Sequence, residues 1–115
     1  MGKTGLLGAF EETVLLALVR GGDEAYGVSV RREIEERSSR SVTMGAVYAT
    51  LDRLEEKGYA VSRVADASEA RRGRPRRYYK ILPEGLEALA QCREVRGNMW
   101  EGIELPVVSR VGRGE

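Results

Sequence analysis

The chain has 115 residues and a formal net charge of +1, which is the size of one small domain without a strong charge of either sign. It has one cysteine and no histidine, so an intrachain disulfide is impossible, and the commonest general base and zinc ligand are missing. No apolar run approaches the roughly 20 residues of a membrane span, and we expect a cytoplasmic protein that is not an enzyme and holds no metal or cofactor.

The first predicted element is a helix over about residues 8–20. Its apolar residues recur at helical spacing, and they include Leu7, Phe10, Val14, Ala17 and Leu18. Leu15, Leu16 and Val19 widen this face, so we expect cover on two sides, from the domain core and from a second subunit. Glu11 and Glu12 suit the positive end of the helix dipole, and the glycine pair at 21–22 predicts the helix end.

A second helix is predicted over residues 23–38, with Asp23 as its cap. Its buried stripe consists of residues four apart, namely Tyr26, Val30 and Ile34. Gly27 leaves room for another element to approach closely. In the polar turn that follows, Val42 is expected to form a short strand that joins a later hairpin.

A third helix is predicted to begin after Thr43, a favourable N-cap, and to stop at Gly58. One face is apolar and consists of Ala46, Val47, Thr50, Leu51 and Leu54. The opposite face consists of Met44, Gly45, Tyr48, Ala49, Asp52 and Arg53. This second face lacks the Glu/Lys lattice of an ordinary solvated helix, which favours a surface that lies against another molecule.

Two predicted strands, over about residues 59–65 and 75–81, flank a polar loop and form a hairpin. Between residues 71 and 80 the chain carries six cations and no acid, and the cations are Arg71, Arg72, Arg74, Arg76, Arg77 and Lys80. A helix followed by a basic hairpin is the layout of a winged helix-turn-helix, which indicates DNA binding. The alternative is a hairpin tip that is simply solvated.

Pro83 suits the first position of a fourth helix that extends to about residue 105. Its interrupted apolar stripe is formed by Leu86, Leu89, Cys92, Arg96, Met99 and Ile103, with Trp100 beside it. Gly97 and Gly102 weaken the distal part, each by roughly 1 kcal/mol relative to alanine. We therefore divide the chain into a winged helix-turn-helix domain at 1–82, a C-terminal dimerisation helix at 83–105 and a tail at 106–115.

Several segments within about residues 7–92 form a specific pattern, namely LLALVRGG, AYGVSVRREIEER, GAVYATLDRLEEKGY, GRPRRYYKI and LPEGLEAL. Together they resemble the PadR family of bacterial transcriptional regulators, in its short subgroup with one C-terminal helix. The resemblance implies a mainly α fold with a small β-hairpin (α+β). It also implies a homodimer held by the C-terminal and first helices that represses transcription from a palindromic operator. Leu82 departs from the family, which usually has a capping threonine there.

The resemblance and the two faces of the third helix together predict the residues that contact double-stranded DNA. On the recognition helix they are Thr43, Met44, Gly45, Tyr48, Ala49 and Arg53, and on the wing they are Arg71, Arg72, Arg74 and Arg76. Tyr48 and Arg53 would meet phosphate, and Met44 would pack on a thymine methyl group. The alternative for Tyr48 is a partly buried ring that packs on the wing.

The predicted dimer interface lies on the first and last helices. It consists of Leu7, Phe10, Leu89, Cys92, Arg96, Met99, Trp100 and Ile103. Trp100 and Met99 are read either as interface anchors, for which tryptophan is suited, or as the lining of a pocket for a small aromatic effector. The rival to a DNA-binding repressor is a winged-helix protein-interaction module without DNA binding, which the near-neutral charge allows.

Overall fold

The structure of the chain is a computed structural model that describes residues 5–66 and 75–106. Within these ranges the elements follow the order helix α1 (Ala9–Gly21), a 3-10 turn (Gly22–Glu24), strand β1 (Ala25–Tyr26), helices α2 (Gly27–Ser38) and α3 (Met44–Glu56), strands β2 (Ala60–Val64) and β3 (Arg77–Ile81), and helix α4 (Pro83–Trp100). The strands form one antiparallel sheet in the order β1-β3-β2. The predicted mainly helical fold with a small sheet and a C-terminal helix is confirmed.

The third strand of the sheet is not the predicted one. Ala25 lies opposite Tyr79, so β1 takes the edge of the sheet beside β3. Val42 forms no strand, and its N–H donates instead to the Glu35 carboxylate at 2.9 Å. The predicted cap at Asp23 is also wrong, because the turn and β1 intervene and Tyr26 is the N-cap of α2. The Tyr26 N–H donates to Ser29 Oγ at 2.9 Å.

The other predicted helix boundaries follow local signals in the sequence. Gly22 ends α1 with a φ of 62°, in the left-handed region that favours glycine. Thr43 caps α3, since its Oγ1 accepts the Ala46 N–H at 3.0 Å. Pro83 opens α4 as predicted, and the Leu82 side chain caps nothing. The helix ends at Trp100, short of the expected residue 105.

The hydrophobic core lies between α1, α2, α3 and the inner face of the sheet, with Cys92 added from α4. Its largest fully buried side chains are Val14, Leu15, Leu18, Val30, Val47, Leu51 and Leu54. Burying one such aliphatic side chain stabilises the fold by roughly 1.5–3 kcal/mol. Of the predicted apolar face of α3, only Ala46 is exposed. In the ranges that are described, no helix has the length and apolar character to cross a membrane.

Candidate nucleic-acid interface

The exposed face of α3 is shallow at its N-terminal end. Thr43, Gly45 and Ala49 are exposed, and Met44 is half-buried. A methyl group added at Gly45 would meet nothing nearer than Thr43 Oγ1, at 4.0 Å. Another molecule can therefore approach the backbone of α3 closely along this face, as the sequence predicted.

Tyr48 rises from this face and crosses the beginning of α2. A Cβ atom at Gly27 would lie 2.5 Å from both Cζ and the hydroxyl oxygen of Tyr48, so only glycine fits beneath the ring. The ring is nevertheless 43% exposed. Tyr48 also lines a groove of 290 Å³ with the base of the hairpin, at Pro75 and Arg76. The hydroxyl end of the ring thus packs on α2, although the residue as a whole remains partly exposed.

Arginine and tyrosine side chains alternate across the outer face of the sheet. The Arg76 guanidinium carbon lies 3.8 Å from the centre of the Tyr26 ring, and that of Arg63 lies 4.8 Å from the Tyr78 ring. The two rings meet edge to face at 6.0 Å. Each such contact contributes about 0.5–1 kcal/mol at an exposed site, so Arg76 is held at the base of the wing. The other predicted wing residues, Arg71, Arg72 and Arg74, lie outside the described residues.

Arg53, predicted to contact DNA, already has a carboxylate partner. Its Nε lies 3.2 Å from Glu11 Oε2 on α1, and its Nη2 donates to Thr50 Oγ1 at 3.3 Å. Lys57 Nζ lies 2.9 Å from the same Oε2 atom. The Gly8 N–H donates to Glu11 Oε1 at 3.0 Å. Both oxygens of Glu11 are therefore used, and α1 is tied to the C-terminal end of α3.

The Glu11 carboxyl is 8% exposed. Burial alone raises its pKa, but the hydrogen bonds from Lys57, the Gly8 N–H and Arg53, with the Lys57 charge, outweigh that effect and lower the pKa below 4.5. Glu11 is therefore ionised at neutral pH. The sequence did carry a signal for this role, because Glu11 interrupts the apolar stripe that runs through Leu7, Val14 and Leu18.

The hairpin is tied to the same end of α3 through Glu55. Ser62 on β2 donates to this carboxylate from its N–H at 3.2 Å and from its Oγ at 2.9 Å. Arg77 on β3 in turn donates to Ser62 Oγ at 2.9 Å. Helix α3 and the hairpin therefore form one connected surface.

The structure divides the predicted dimer-interface residues into four groups. Leu7 and Cys92 lie in the protomer's own core, at 7% and 1% exposure, and are not available to a partner. Phe10 and Leu89 are half-buried against that core. Arg96 pairs with Glu12 of α1 at 2.7 Å. The remaining residues are exposed, and they are Met99, Trp100 and Ile103.

Further apolar side chains, which the predicted interface omitted, are exposed along α1 and α4. Leu16, Val19 and Leu86 are each between 44% and 49% exposed. With Leu89 they line a groove of 510 Å³, which is closed at one side by Glu12, Arg93 and Arg96. Met99 and Trp100 are not among its lining residues. Exposed apolar side chains therefore occur both at this groove and at the C-terminal end of α4, where Met99, Trp100 and Ile103 lie.

Comparison with known proteins gives one family and one relative of moderate identity. The model of the transcriptional regulator PadR-like family matches residues 15–91, which is more than half of the chain. The transcriptional regulator Rv3488 of Mycobacterium tuberculosis is 38% identical over 73 residues, and the match covers 62% of each protein. The matched part of this chain thus spans less than two thirds of that relative's length.

Solved structures share the fold. RosR of H. salinarum, in a crystal grown from NaBr, is 26% identical with a TM-score of 0.67, over 85% of this chain and 81% of that chain. Bacillus subtilis PadR in complex with operator DNA is 16% identical with a TM-score of 0.63, over 89% of this chain and 52% of that chain. These similarities agree with the arrangement of helices and strands described above.

Proposed function

We propose that this chain, which belongs to the PadR-like family of transcriptional regulators, binds a palindromic operator as a homodimer and represses transcription. The observation that carries the proposal is the shallow exposed face of α3 beside a basic hairpin. In the proposed division of labour, residues 1–82 bind DNA, residues 83–105 hold the second subunit and residues 106–115 form a tail.

Helix α3 has the shape that a major groove requires. The groove of B-DNA is about 12 Å wide and admits one α-helix. Gly45 and Ala49 let the backbone approach base edges, and Met44 at the leading end reaches a thymine methyl group. The Tyr48 hydroxyl, which lies beside Gly27 at the start of α2, is the proposed donor to a phosphate.

The hairpin supplies the positive charge that α3 lacks. Arg76 is held over Tyr26 at the base of the wing, and Arg71, Arg72 and Arg74 precede it in the sequence. Arginines of this kind contact phosphate or enter a minor groove whose narrow A/T tracts concentrate negative potential. The operator-bound structure of Bacillus subtilis PadR, which has the same fold, supports this interpretation.

A second copy of the chain is the proposed cover for the apolar surface of α1 and α4. Monomeric proteins rarely expose contiguous apolar patches of more than a few hundred Å². Leu16, Val19 and Leu86 are exposed at the groove between α1 and α4, and Trp100 and Ile103 are exposed at the end of α4 and beyond it. A twofold axis here would present two α3 helices to successive turns of the major groove, ~34–36 Å apart.

A gel-shift titration tests this proposal against the interaction-module alternative. The probe is the DNA immediately upstream of the protein's own gene, and an equal length of coding DNA is the control. We expect a shifted band with the upstream DNA at concentrations at least tenfold below those the coding DNA requires. Retardation of neither probe would favour a protein-interaction module, and equal retardation of both would show DNA binding without recognition of an operator.

A second proposal is that a small planar aromatic effector binds beside Met99 and Trp100, which are both exposed at the end of α4. Neither residue lines the 510 Å³ groove between α1 and α4, so the test concerns the end of α4. Trp100 is the chain's one tryptophan, so its fluorescence reports on this end of α4. Quenching at micromolar concentrations of planar aromatic compounds would support an effector site. An unchanged spectrum across a diverse panel would exclude Trp100 from one.

A further inference from the structure

Helix α3 is poor in positive charge for a helix that enters a DNA groove. Of its 13 residues, Arg53 alone is cationic, and Lys57 follows directly as the C-cap. Asp52, Glu55 and Glu56 are acidic. Both cations lie within 3.2 Å of one oxygen of Glu11, which belongs to another helix. The charge of this end of α3 is therefore set by a residue of α1.

Arg53 and Lys57 lie on a part of α3 that would be close to DNA phosphates in the proposed complex. An α-helix with its side chains is ≈ 10–12 Å across, which nearly fills a major groove about 12 Å wide. Side chains on the flanks of α3 therefore face the phosphates of the groove walls. Arg53 and Lys57 occupy such a flank, and their side chains are 51% and 44% exposed. Their charge reaches phosphates at separations up to the Debye length of about 10 Å at 0.1 M salt.

We propose that Glu11 restrains the sequence-independent attraction of α3 to DNA phosphates. One carboxylate against two cations leaves the cluster of Glu11, Arg53 and Lys57 with a net charge of +1 instead of +2. Phosphate attraction is the same for every sequence, so it strengthens operator and random DNA alike. Lowering it weakens binding to every sequence, so that stable binding at a given salt concentration depends more on the base-reading face at Met44, Gly45 and Ala49. This inference rests on the proposed DNA-binding function.

The geometry favours an electrostatic role over simple cross-linking of two helices. An ion pair that only links two helices needs one cation, yet Glu11 Oε2 accepts hydrogen bonds from both Arg53 and Lys57. The neighbouring Glu12 provides the contrast. It pairs with Arg96 of α4, on the groove between α1 and α4 and away from α3. Two adjacent carboxylates of α1 thus neutralise cations on different surfaces, of which only one is the proposed DNA-binding face.

The test is a charge ladder, which is a set of variants of the full-length protein in which the net charge of this cluster changes in steps of one. The probe is a fluorescein-labelled mixed-sequence duplex of about 30 base pairs, long enough for two half-sites one helical turn apart. Fluorescence anisotropy gives Kd at several salt concentrations. Lys57→Gln lowers the cluster charge to 0, wild type has +1, Glu11→Gln/Lys57→Gln restores +1, and Glu11→Gln raises it to +2.

We expect the slope of log K against log salt to follow this ladder. Each added unit of cluster charge is present twice in the proposed dimer, so it should steepen the slope by up to ~1.8, twice the value for one neutralised phosphate in B-DNA. The Glu11→Gln/Lys57→Gln protein should match wild type. Glu12→Gln removes the same charge one residue away and should leave the slope unchanged.

Two results would overturn the inference. One is an identical slope for Glu11→Gln and Glu12→Gln, which would mean that the change follows total charge only. The other is a difference between wild type and Glu11→Gln/Lys57→Gln as large as that between wild type and Lys57→Gln. That second comparison decides the matter even if Glu11→Gln alone does not fold. If wild type binds no duplex at all, the proposed function fails instead, and the inference falls with it.

Discussion

At the scale of single residues, the functional side chains differ in how far the sequence could predict them. The exposed face of α3 was predictable, because helical periodicity assigns each residue to a face. The Glu11 contacts with Arg53 and Lys57 were not, because they join parts of the chain more than 40 residues apart. The sequence therefore predicts a DNA contact for Arg53 from its helix face and the family resemblance, although its guanidinium already has a carboxylate partner.

The lowered pKa of Glu11 predicts a pH-dependent contribution to stability. Since the pKa is lower in the folded state, the contribution is complete above about pH 4.5 and is lost as pH falls through the folded-state pKa. Glu11→Gln should therefore lower the free energy of unfolding by about 1–2 kcal/mol at pH 7, a modest value because both cations are half-exposed. Urea titrations at pH 7 and pH 3.5 measure it. The difference should shrink at pH 3.5, and an equal difference at both would contradict the ionic role.

Gly27 is predicted to act on DNA binding through Tyr48. Because a Cβ atom at residue 27 would overlap the ring at 2.5 Å, Gly27→Ala should displace the hydroxyl and weaken operator binding several-fold. In a Tyr48→Ala background the same substitution should have no further effect, since the coupled group is absent. Binding isotherms of the four proteins form a double-mutant cycle. Additive losses would show that Gly27 acts independently of Tyr48.

At the scale of secondary-structure elements, the sequence predicted what local signals encode. Helix α3 lies between the capping residue Thr43 and the glycine at 58, and α4 begins at Pro83. The sequence could predict these boundaries because capping and backbone geometry act within a few residues. Strand β1 was missed because two residues give no periodicity. Their pairing with β3 joins positions such as Ala25 and Tyr79, far apart in the chain. The same non-local cause explains the wrong strand prediction at Val42.

The cap of α3 is predicted to stabilise the whole domain. Thr43→Ala removes the acceptor of the Ala46 N–H and should cost about 1 kcal/mol. Thr13→Ala is the matched control, because that hydroxyl donates to the Ala9 carbonyl inside α1 and caps nothing. It should be neutral or slightly stabilising, since alanine has the higher helix propensity. Urea midpoints measure both, and equal losses would contradict a capping role.

At the scale of the whole molecule, α1 links the two proposed activities. Glu11 ties α1 to the recognition helix and Glu12 ties it to α4. Its exposed apolar side chains point to a second subunit. The sequence anticipated this double cover from the width of the apolar face. The sequence could not show which apolar residues pack in the protomer's own core and which contact a partner. The buried side chains of Leu7 and Cys92 are as apolar as the side chains that are exposed.

Leu16→Glu is predicted to separate the proposed dimer into monomers. The substitution places a charge in the middle of the α1/α4 groove, where it would be desolvated on association. Val28→Glu is the matched control, because Val28 is 43% exposed against 47% for Leu16 but lies on α2. Sedimentation velocity at micromolar concentration should show monomer for the first variant and dimer for the second. Dimers of both would move the interface away from this groove.

Selection of DNA from a random-sequence pool by wild-type protein tests whether α3 and the hairpin read an operator in pairs. The bound duplexes are sequenced after several rounds. We expect enrichment of an inverted repeat whose half-site centres lie one helical turn, ~34–36 Å, apart, with loss of enrichment for Leu16→Glu. A pool that stays random, or a single unrepeated site bound equally well by Leu16→Glu, would contradict operator recognition by a homodimer.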